Sequence, residues 1–460
     1  MADNLVLSEQ DTFFSTSEIM AYPPFTGIGP EHTKDATLRA RTRMEVAKVW
    51  SSNQILGRRY PVGCVALEIT QRCNLDCTLC YLSEHSESTK DIPLEEVYRR
   101  IRMIRDHYGP GTDVQISGGD PTLRKRSELM AIVRYIRETG LRPTLMTNGI
   151  AAKRDMLIEL VENGLNDIAF HVDLTQERKG FDSEVALNAV RKEYIERARG
   201  LKVAVIFNTT VFGGNFHEVP DLVRFFRKNA DVVGMASFQM QADTGRGILK
   251  KRDDLISLDS MVAQIEKGAG TRVSFETARI GHPRCHRYGL TLEANGNLYD
   301  FFDDQDFFNL LIEKTKTLEL DRTRPYKVVS TIFHWLIKEK EILIPAAKFL
   351  AKKLWAMKKD LLLGKGKVHK LSFFMQNFMD ASSLEKDRVH ACSFMVMTPQ
   401  GPLSMCMHNA KRDAYILQPL KVKGHEGVWN PLTGKFESVV PEKVESKPKL
   451  DSESADLSFG

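Results

Sequence analysis

The sequence predicts an α/β protein: six strand–helix units that can close most of a TIM-type barrel, followed by a smaller α+β extension. Two observations carry this. From Tyr60 onward, apolar runs of strand length alternate with helical patterns about six times, and repeated strand–helix–strand order implies a parallel sheet with right-handed crossovers. After about residue 270 the alternation stops, and two short hairpin patterns flank a Lys-rich helical segment.

The first region, residues 1–59, reads as an irregular arm to about residue 35 and then a helix over 36–52. The barrel region, 60–270, has strand runs at Val65–Ile69, Asp113–Ser117, Pro143–Thr147, Asp167–Val172, Lys202–Asn208 and Val232–Gln239. Helical patterns fall between them at Pro93–His107, Ser127–Glu138, Arg154–Glu162, Asp182–Arg199 and Pro220–Lys228. The extension, 271–440, pairs strands within Tyr288–Phe301 and within Phe394–Met405, with a basic helical insert at 322–370. Residues 441–460 are rich in Lys, Glu, Ser and Asp and read as a disordered tail.

Composition narrows the class. The chain has 460 residues with 42% hydrophobic and 27% charged residues, enough for two or three domains or one barrel with appendages. No run of 18 apolar residues reads as a membrane span, and the start lacks a secretory pattern. Seven cysteines, three of them within eight residues, suit metal ligation in a reducing cytoplasm better than a disulfide framework. Net charge is +5, yet Arg322–Lys370 alone holds 13 Lys/Arg against three acids. The rest of the chain is therefore slightly acidic, and the insert expects an anionic partner.

The run Cys73-Asn-Leu-Asp-Cys77-Thr-Leu-Cys80 has spacing C-x3-C-x2-C directly after the first strand. Three thiolates on one loop can ligate three irons of a [4Fe–4S] cubane and leave the fourth iron open. The alternative, a zinc knuckle, favours paired C-x2-C spacings and a fourth protein ligand, and none lies nearby in sequence. Ser117-Gly118-Gly119-Asp120-Pro121 ends the second strand, where glycines let backbone approach a ligand closely and Asp120 can accept from an ammonium. Thr147-Asn148-Gly149 ends the third. His171 and Asp173 on the fourth strand, and Asn208 on the fifth, alternate with apolar residues, so they can point into the barrel; each is equally readable as a satisfied structural polar group.

On these residues the segment Pro61–Phe238 resembles the radical S-adenosylmethionine (SAM) superfamily. The resemblance implies a partial (β/α)6 TIM barrel with Cys73, Cys77 and Cys80 holding the SAM-binding cluster. It implies reductive cleavage of SAM to a deoxyadenosyl radical that abstracts a substrate hydrogen, and a reductant such as flavodoxin or ferredoxin. It makes Gly118, Gly119 and Asp120 the family's SAM-amino-group motif and sets Tyr81 against the adenine. Asn148, Asp173 and Asn208 are further candidate SAM contacts.

Cys392 and Cys406 bracket a thirteen-residue hairpin, and Cys285 opens a similar hairpin that ends on Asp300. This resembles the auxiliary-cluster hairpin of molybdopterin-precursor synthases and SPASM/twitch enzymes. It lacks the former's C-x2-C and the latter's full cysteine set. Cys285, Cys392 and Cys406 would ligate a second [4Fe–4S] cluster, with Cys64, Asp300, His408 or the substrate as fourth ligand; otherwise they are buried free thiols.

In the insert, Ala346, Leu350, Leu354, Met357 and Leu361 share one helical face, and Lys348, Lys352 and Lys359 fall largely on another. Pro345 is expected to kink the boundary with a preceding helix. Apolar face, lysines, Trp335 and Trp355 describe a helix lying on an anionic membrane, as against a helix that caps the barrel. A groove-reading module for nucleic acid is missing, so no nucleic-acid partner is expected. The leading expectation is radical chemistry on an unactivated carbon of a hydrophobic, lipid-like substrate by a cytoplasmic enzyme peripheral to the inner membrane face. It is similar to radical SAM lipid synthases of the tetraether type. The alternatives are a SPASM-type peptide-modifying enzyme and, from another class, a cluster-bearing sensor or scaffold.

Overall fold

The computed structural model describes residues 12–24, 34–249, 252, 256–316, 318 and 325–438. Parts of the expected amino-terminal arm and the whole 441–460 tail lie outside the described residues.

Among the described residues two helices precede the barrel, α1 (Thr16–Ala21) and α2 (Ala36–Val46). The barrel units follow in order: β1 (Cys64–Thr70), α3 (Leu94–Tyr108), β2 (Asp113–Gly118), α4 (Arg126–Glu138), β3 (Arg142–Thr147), α5 (Arg154–Glu162), β4 (Asp167–His171), α6 (Asn188–Ala198), β5 (Ala204–Val211), α7 (Val219–Lys228), β6 (Val233–Met240) and α8 (Leu258–Ala269). β1 to β6 pair in sequence order, all parallel, giving a mixed α/β fold in which a partial barrel is wrapped by helices. The helices form where apolar residues recur at spacings of three and four: Val97, Ile101, Ile104 and Tyr108 on α3 are all buried against the sheet. Each such side chain contributes roughly 1.5–3 kcal/mol. Phe170 and Phe207 pack on each other and on Tyr194 and Phe226 of the helices, filling the layer between sheet and helices.

The extension is stitched onto both edges of this sheet. β7 (His286–Ala294) and β8 (Asn297–Asp300) form the first hairpin. Helices α9 (Gln305–Lys314), α10 (Pro325–Lys338) and α11 (Lys340–Leu363) follow, and then β9 (His369–Asn377). β9 lies parallel to β6 and antiparallel to β7, so it joins the hairpin to the barrel. The sequence reading passed over β9: its apolar run Leu371–Met375 directly follows the basic insert and has no helical partner to mark it. After α12 (Lys386–His390), β10 (Phe394–Met397) pairs parallel to β1 and antiparallel to β11 (Pro402–Ser404), and α13 (Met405–Ala410) closes this edge.

The insert differs from expectation in two ways. The chain breaks at Glu339, and Pro345 lies inside α11; six residues into a helix, it removes only one backbone hydrogen bond. The expected apolar face is also divided between the body and the surface. Ala346, Phe349, Lys353, Met357 and Asp360 are buried, whereas Leu350 and Leu354 are exposed. Polar pairing selects this face. Lys353 reaches Asp303 at 2.5 Å, while Asp360 accepts from Tyr299 Oη (2.5 Å) and Asn297 Nδ2 (2.8 Å) on β8. Phe349 stacks on Phe307 with centroids 4.4 Å apart.

Candidate functional site

The Cys73–Cys80 loop leaves the carboxyl end of β1 and is gripped by the ends of the neighbouring strands. Asn148, after β3, donates to Asn74 Oδ1 (2.6 Å), with its amide 4.0 Å from Cys73 Sγ. The turn after β4 accepts Thr78 N at the Thr175 carbonyl (2.7 Å). Tyr81 Oη donates to the Gly118 carbonyl. Gly118 has φ +123°, and a Cβ there would fall on the Thr70 carbonyl; a Cβ on Gly119 would strike that of Arg72. Only glycine lets this backbone lie so close to the loop.

The three thiols interact electrostatically with one another. Burial pushes Cys77 up first, with Asp173, Cys80 and Cys73 adding to it; burial likewise raises Cys73, near Cys80. Among the described residues no three His, Cys, Asp or Glu side chains close round a single point as one ion would require. Cubane ligands bind separate irons and stand wider apart. Three neighbouring soft thiol donors on a loop held from several sides fit such a cluster.

The expected SAM contacts fall into two groups. Asp120 and Asp173 are committed inside the protein. Asp120, 1% exposed, accepts from Thr122 N and Oγ1, from Thr147 Oγ1 and from Asn148 N at 2.5–3.0 Å. Asp173 accepts from Thr175 N and Oγ1, Thr210 N and His171 Nε2 (2.6 Å). Burial opposes its charge, but the His171 partner and these donors outweigh it and hold the carboxyl below the usual carboxylate range. Both caps support the loop: Asp120 ties the Gly-Gly turn to β3, and Asp173 shapes the turn that holds Thr78. Asn148 stands against the cysteine loop, and Asn208 is buried opposite His171 with its side chain unbonded among the described residues.

At the other edge, distant cysteines converge. Cys392 lies within electrostatic reach of Cys64, Cys285 and Cys406. Cys64 N bonds the Ser393 carbonyl (3.3 Å), and Arg388 Nε donates to Cys285 Sγ (3.2 Å). Burial, the leading effect, pushes the Cys285 thiol up to about 11 despite Arg388 beside it. Asp300 is not brought to this group. It pairs with Thr291, six residues along β7 from Cys285, roughly 20 Å at about 3.4 Å per residue, and its carboxylate accepts from Ser274. His408 is buried against Tyr415 (5.6 Å) and near Glu68; burial pushes it down to about 3. Cys285, Cys392 and Cys406 thus interact with one another and Cys64 with Cys392, and thiols are soft donors of the kind an iron–sulfur group takes.

Sequence reasoning missed two elements. Arg412 crosses from the carboxyl-terminal segment to Glu68 on β1 (2.6 Å), with its guanidinium over the Tyr81 ring at 4.8 Å. Burial opposes the Glu68 charge, but Arg412 prevails and holds the carboxyl at about 2. The second is a strap after β6, Gly245-Arg246-Gly247, packed on Cys80 and Tyr81. A glycine pair around a cation just past a strand end was the readable signal.

Residues 67–226 match the family model of the Radical SAM superfamily. The chain is 25% identical over 384 residues to the 7,8-dihydro-6-hydroxymethylpterin dimethyltransferase of Methanocaldococcus jannaschii, covering 75% of this chain and 76% of that protein. It is 30% identical over 181 residues to the PqqA peptide cyclase of Bradyrhizobium diazoefficiens, covering 38% and 46%. Among solved structures, Streptococcus suis SuiB bound to precursor peptide SuiA aligns with TM-score 0.35 and 18% identity, covering 50% of this chain and 49% of that one. The chain spans about half the length of these last two. On the family-model match, residues 67–226 form a Radical SAM superfamily domain, and enzymes of that family work with a [4Fe–4S] cluster and SAM.

Proposed function

We propose that the protein is a peripheral membrane enzyme that applies radical SAM chemistry to an unactivated carbon of a hydrophobic, lipid-like substrate. The observation that carries the reading is the outer face of α10 and α11. Tyr326, Val329, Phe333 and Ile337 recur along exposed α10, and Leu343, Leu350, Leu354, Trp355 and Leu362 along α11. Leu354 is 58% exposed and Trp355 72%, and an apolar stripe of this length is unusual on a protein that meets only water. Exposed Lys348, Lys358 and Lys359 border it, complementing anionic headgroups. No helix among the described residues is long and apolar enough to cross a membrane, so the stripe is read as lying on the surface.

In this reading Cys73, Cys77 and Cys80 hold the SAM cluster. Gly118, Gly119 and Asn148 give backbone and amide contacts to SAM, Tyr81 borders it, and Asn208 faces the barrel interior. Asp120 and Asp173 hold the turns that carry these contacts. Bound cluster and SAM supply a deoxyadenosyl radical that takes a hydrogen from the substrate. Cys285, Cys392 and Cys406, with Cys64, hold a second cluster, and a flavodoxin or ferredoxin delivers electrons in the cytoplasm. The relatives named above include a pterin and a peptide enzyme, so a peptide substrate is the competing reading.

Co-sedimentation with anionic vesicles tests the membrane claim. Binding should weaken with salt without vanishing, because a Debye length of about 8–10 Å screens the lysines and leaves apolar burial intact. Changing Lys348, Lys358 and Lys359 to Gln should weaken it by about 1 kcal/mol each, and Leu350→Asp with Leu354→Asp should abolish it. Native protein that ignores anionic vesicles at low salt would return the substrate to the peptide class. Incubating reconstituted enzyme with lipid extract and looking for deoxyadenosine with mass-shifted lipids tests the chemistry.

A further inference from the structure

The strap Gly245-Arg246-Gly247 does more than cover the cysteine loop. Arg246 N donates to the Leu82 carbonyl (2.7 Å) and Gly247 N to that of Cys80 (3.1 Å). A Cβ on Gly245 would fall on the Tyr81 backbone, and one on Gly247 on the Cys80 amide nitrogen. Both glycines are therefore needed for the approach itself, and together they deliver the Arg246 side chain against the loop.

That side chain is only 9% exposed, yet its acidic partners are in solvent: Asp76 (3.2 Å) is 86% exposed and Glu87 (3.0 Å) 70%. Exposed carboxylates of this kind are weak reasons to bury a guanidinium. Nη1 serves Glu87 and Nη2 stands 3.2 Å from the exposed Asp76 carboxylate without hydrogen-bond geometry, while Nε is buried with no hydrogen-bond acceptor among the described residues. The Cys80 thiol lies beside the guanidinium and interacts with it electrostatically. Buried donors left without acceptors are rare in folded proteins, and each asks for an explanation.

We propose that Arg246 is a positioning residue for the cluster held by Cys73, Cys77 and Cys80, its guanidinium donating through Nε to cluster sulfur at Cys80. This rests on the reading of that triplet as the cluster site. Sulfur in a reduced cluster carries more negative charge, so an adjacent cation and its hydrogen bonds favour the reduced state. Charge and hydrogen bonding at the sulfurs are among the factors that set such potentials. Arg246 thus makes the cluster easier to reduce, and its Nε gains an acceptor only when the cluster is bound.

The test uses full-length protein, apo and anaerobically reconstituted, as wild type, Arg246→Gln and Arg246→Lys. Thermal melts are recorded for both states, and the reduction potential is read by EPR-monitored titration without SAM. The inference expects apo melts that match the wild type, a smaller stabilisation on reconstitution in Arg246→Gln, and a more negative potential. Arg246→Lys, which keeps the charge but not the fork, should fall between. Iron-loaded Arg246→Gln with a wild-type potential would overturn the proposal. So would apo forms of both variants that melt low or fail to fold, since Arg246 would then serve the loop alone. Wild-type protein that binds no iron through the triplet is a different failure, that of the underlying reading, and the iron count of the wild type against a Cys73/Cys77/Cys80 triple-Ala variant separates the two.

Discussion

Cys73, Cys77 and Cys80 sit on one loop, so their spacing alone brings three thiols together. Cys64, Cys285, Cys392 and Cys406 come from β1, the foot of β7, and the two ends of the β10–β11 hairpin, and only the folded sheet collects them. The first set is presented by the carboxyl ends of parallel strands, the usual address of chemistry in such barrels. The second set marks the seam where the extension pairs with the barrel through β10 and β9. One site is local and gripped from outside; the other is assembled by tertiary pairing.

The difference can be broken by substitution. The largest effect should come from replacing Cys285, Cys392 and Cys406 together with Ala. About four irons should be lost on reconstitution, following cubane stoichiometry, while cleavage of SAM to deoxyadenosine persists. Unchanged iron would return these cysteines to the class of buried thiols.

A smaller effect tests the bolt between the two regions. Arg412→Met should destabilise the protein by about 3–5 kcal/mol, because it leaves Glu68 buried without its partner; denaturant unfolding measures it. The pH dependence has a definite sign. The Glu68 carboxyl is held at about 2 against an ordinary 4.5, so its contribution is complete above about pH 4.5 and fades as pH falls toward 2. Stability lost across that window should shrink in Glu68→Gln.

Smaller again is Asp120→Ala. Its carboxylate is taken up by Thr122, Thr147 and Asn148, so the substitution should cost about 1.5–3 kcal/mol of stability, read by the same unfolding experiment. SAM affinity should fall only through loosening of the Gly118–Gly119 turn. Unchanged stability with a large loss of SAM binding would show that the carboxylate touches the ligand instead.

How much was legible in advance follows the same division. Period and punctuation were enough for β1 to β6, because buried parallel strands read as short apolar runs, and the triplet was visible as spacing. β9 was missed because its neighbours in space, β6 and β7, are remote in sequence. Asp120 and Asp173 were legible as candidate residues, but the caps they form on Thr122 and Thr175 were not, since a capping carboxylate and a ligand-binding one look alike at a strand end. Residues 346–361 were seen as amphipathic with one apolar face for a membrane, but Ala346 and Met357 of that face are turned to the body while Leu350 and Leu354 are exposed: Lys353 and Asp360 are buried through pairing with Asp303 and Tyr299, which no hydrophobic pattern can anticipate. Arg246 has its flanking glycines as a local signal, whereas Arg412 carries none, and the meaning of both lies in what they reach.

The central claim is that the triplet, and not the assembled set, supports SAM cleavage. The most direct test replaces Cys73, Cys77 and Cys80 with Ala, reconstitutes the full chain anaerobically, and measures iron and deoxyadenosine in the same sample. The account predicts about four remaining irons and no deoxyadenosine. A triple variant that still forms deoxyadenosine from SAM would contradict it.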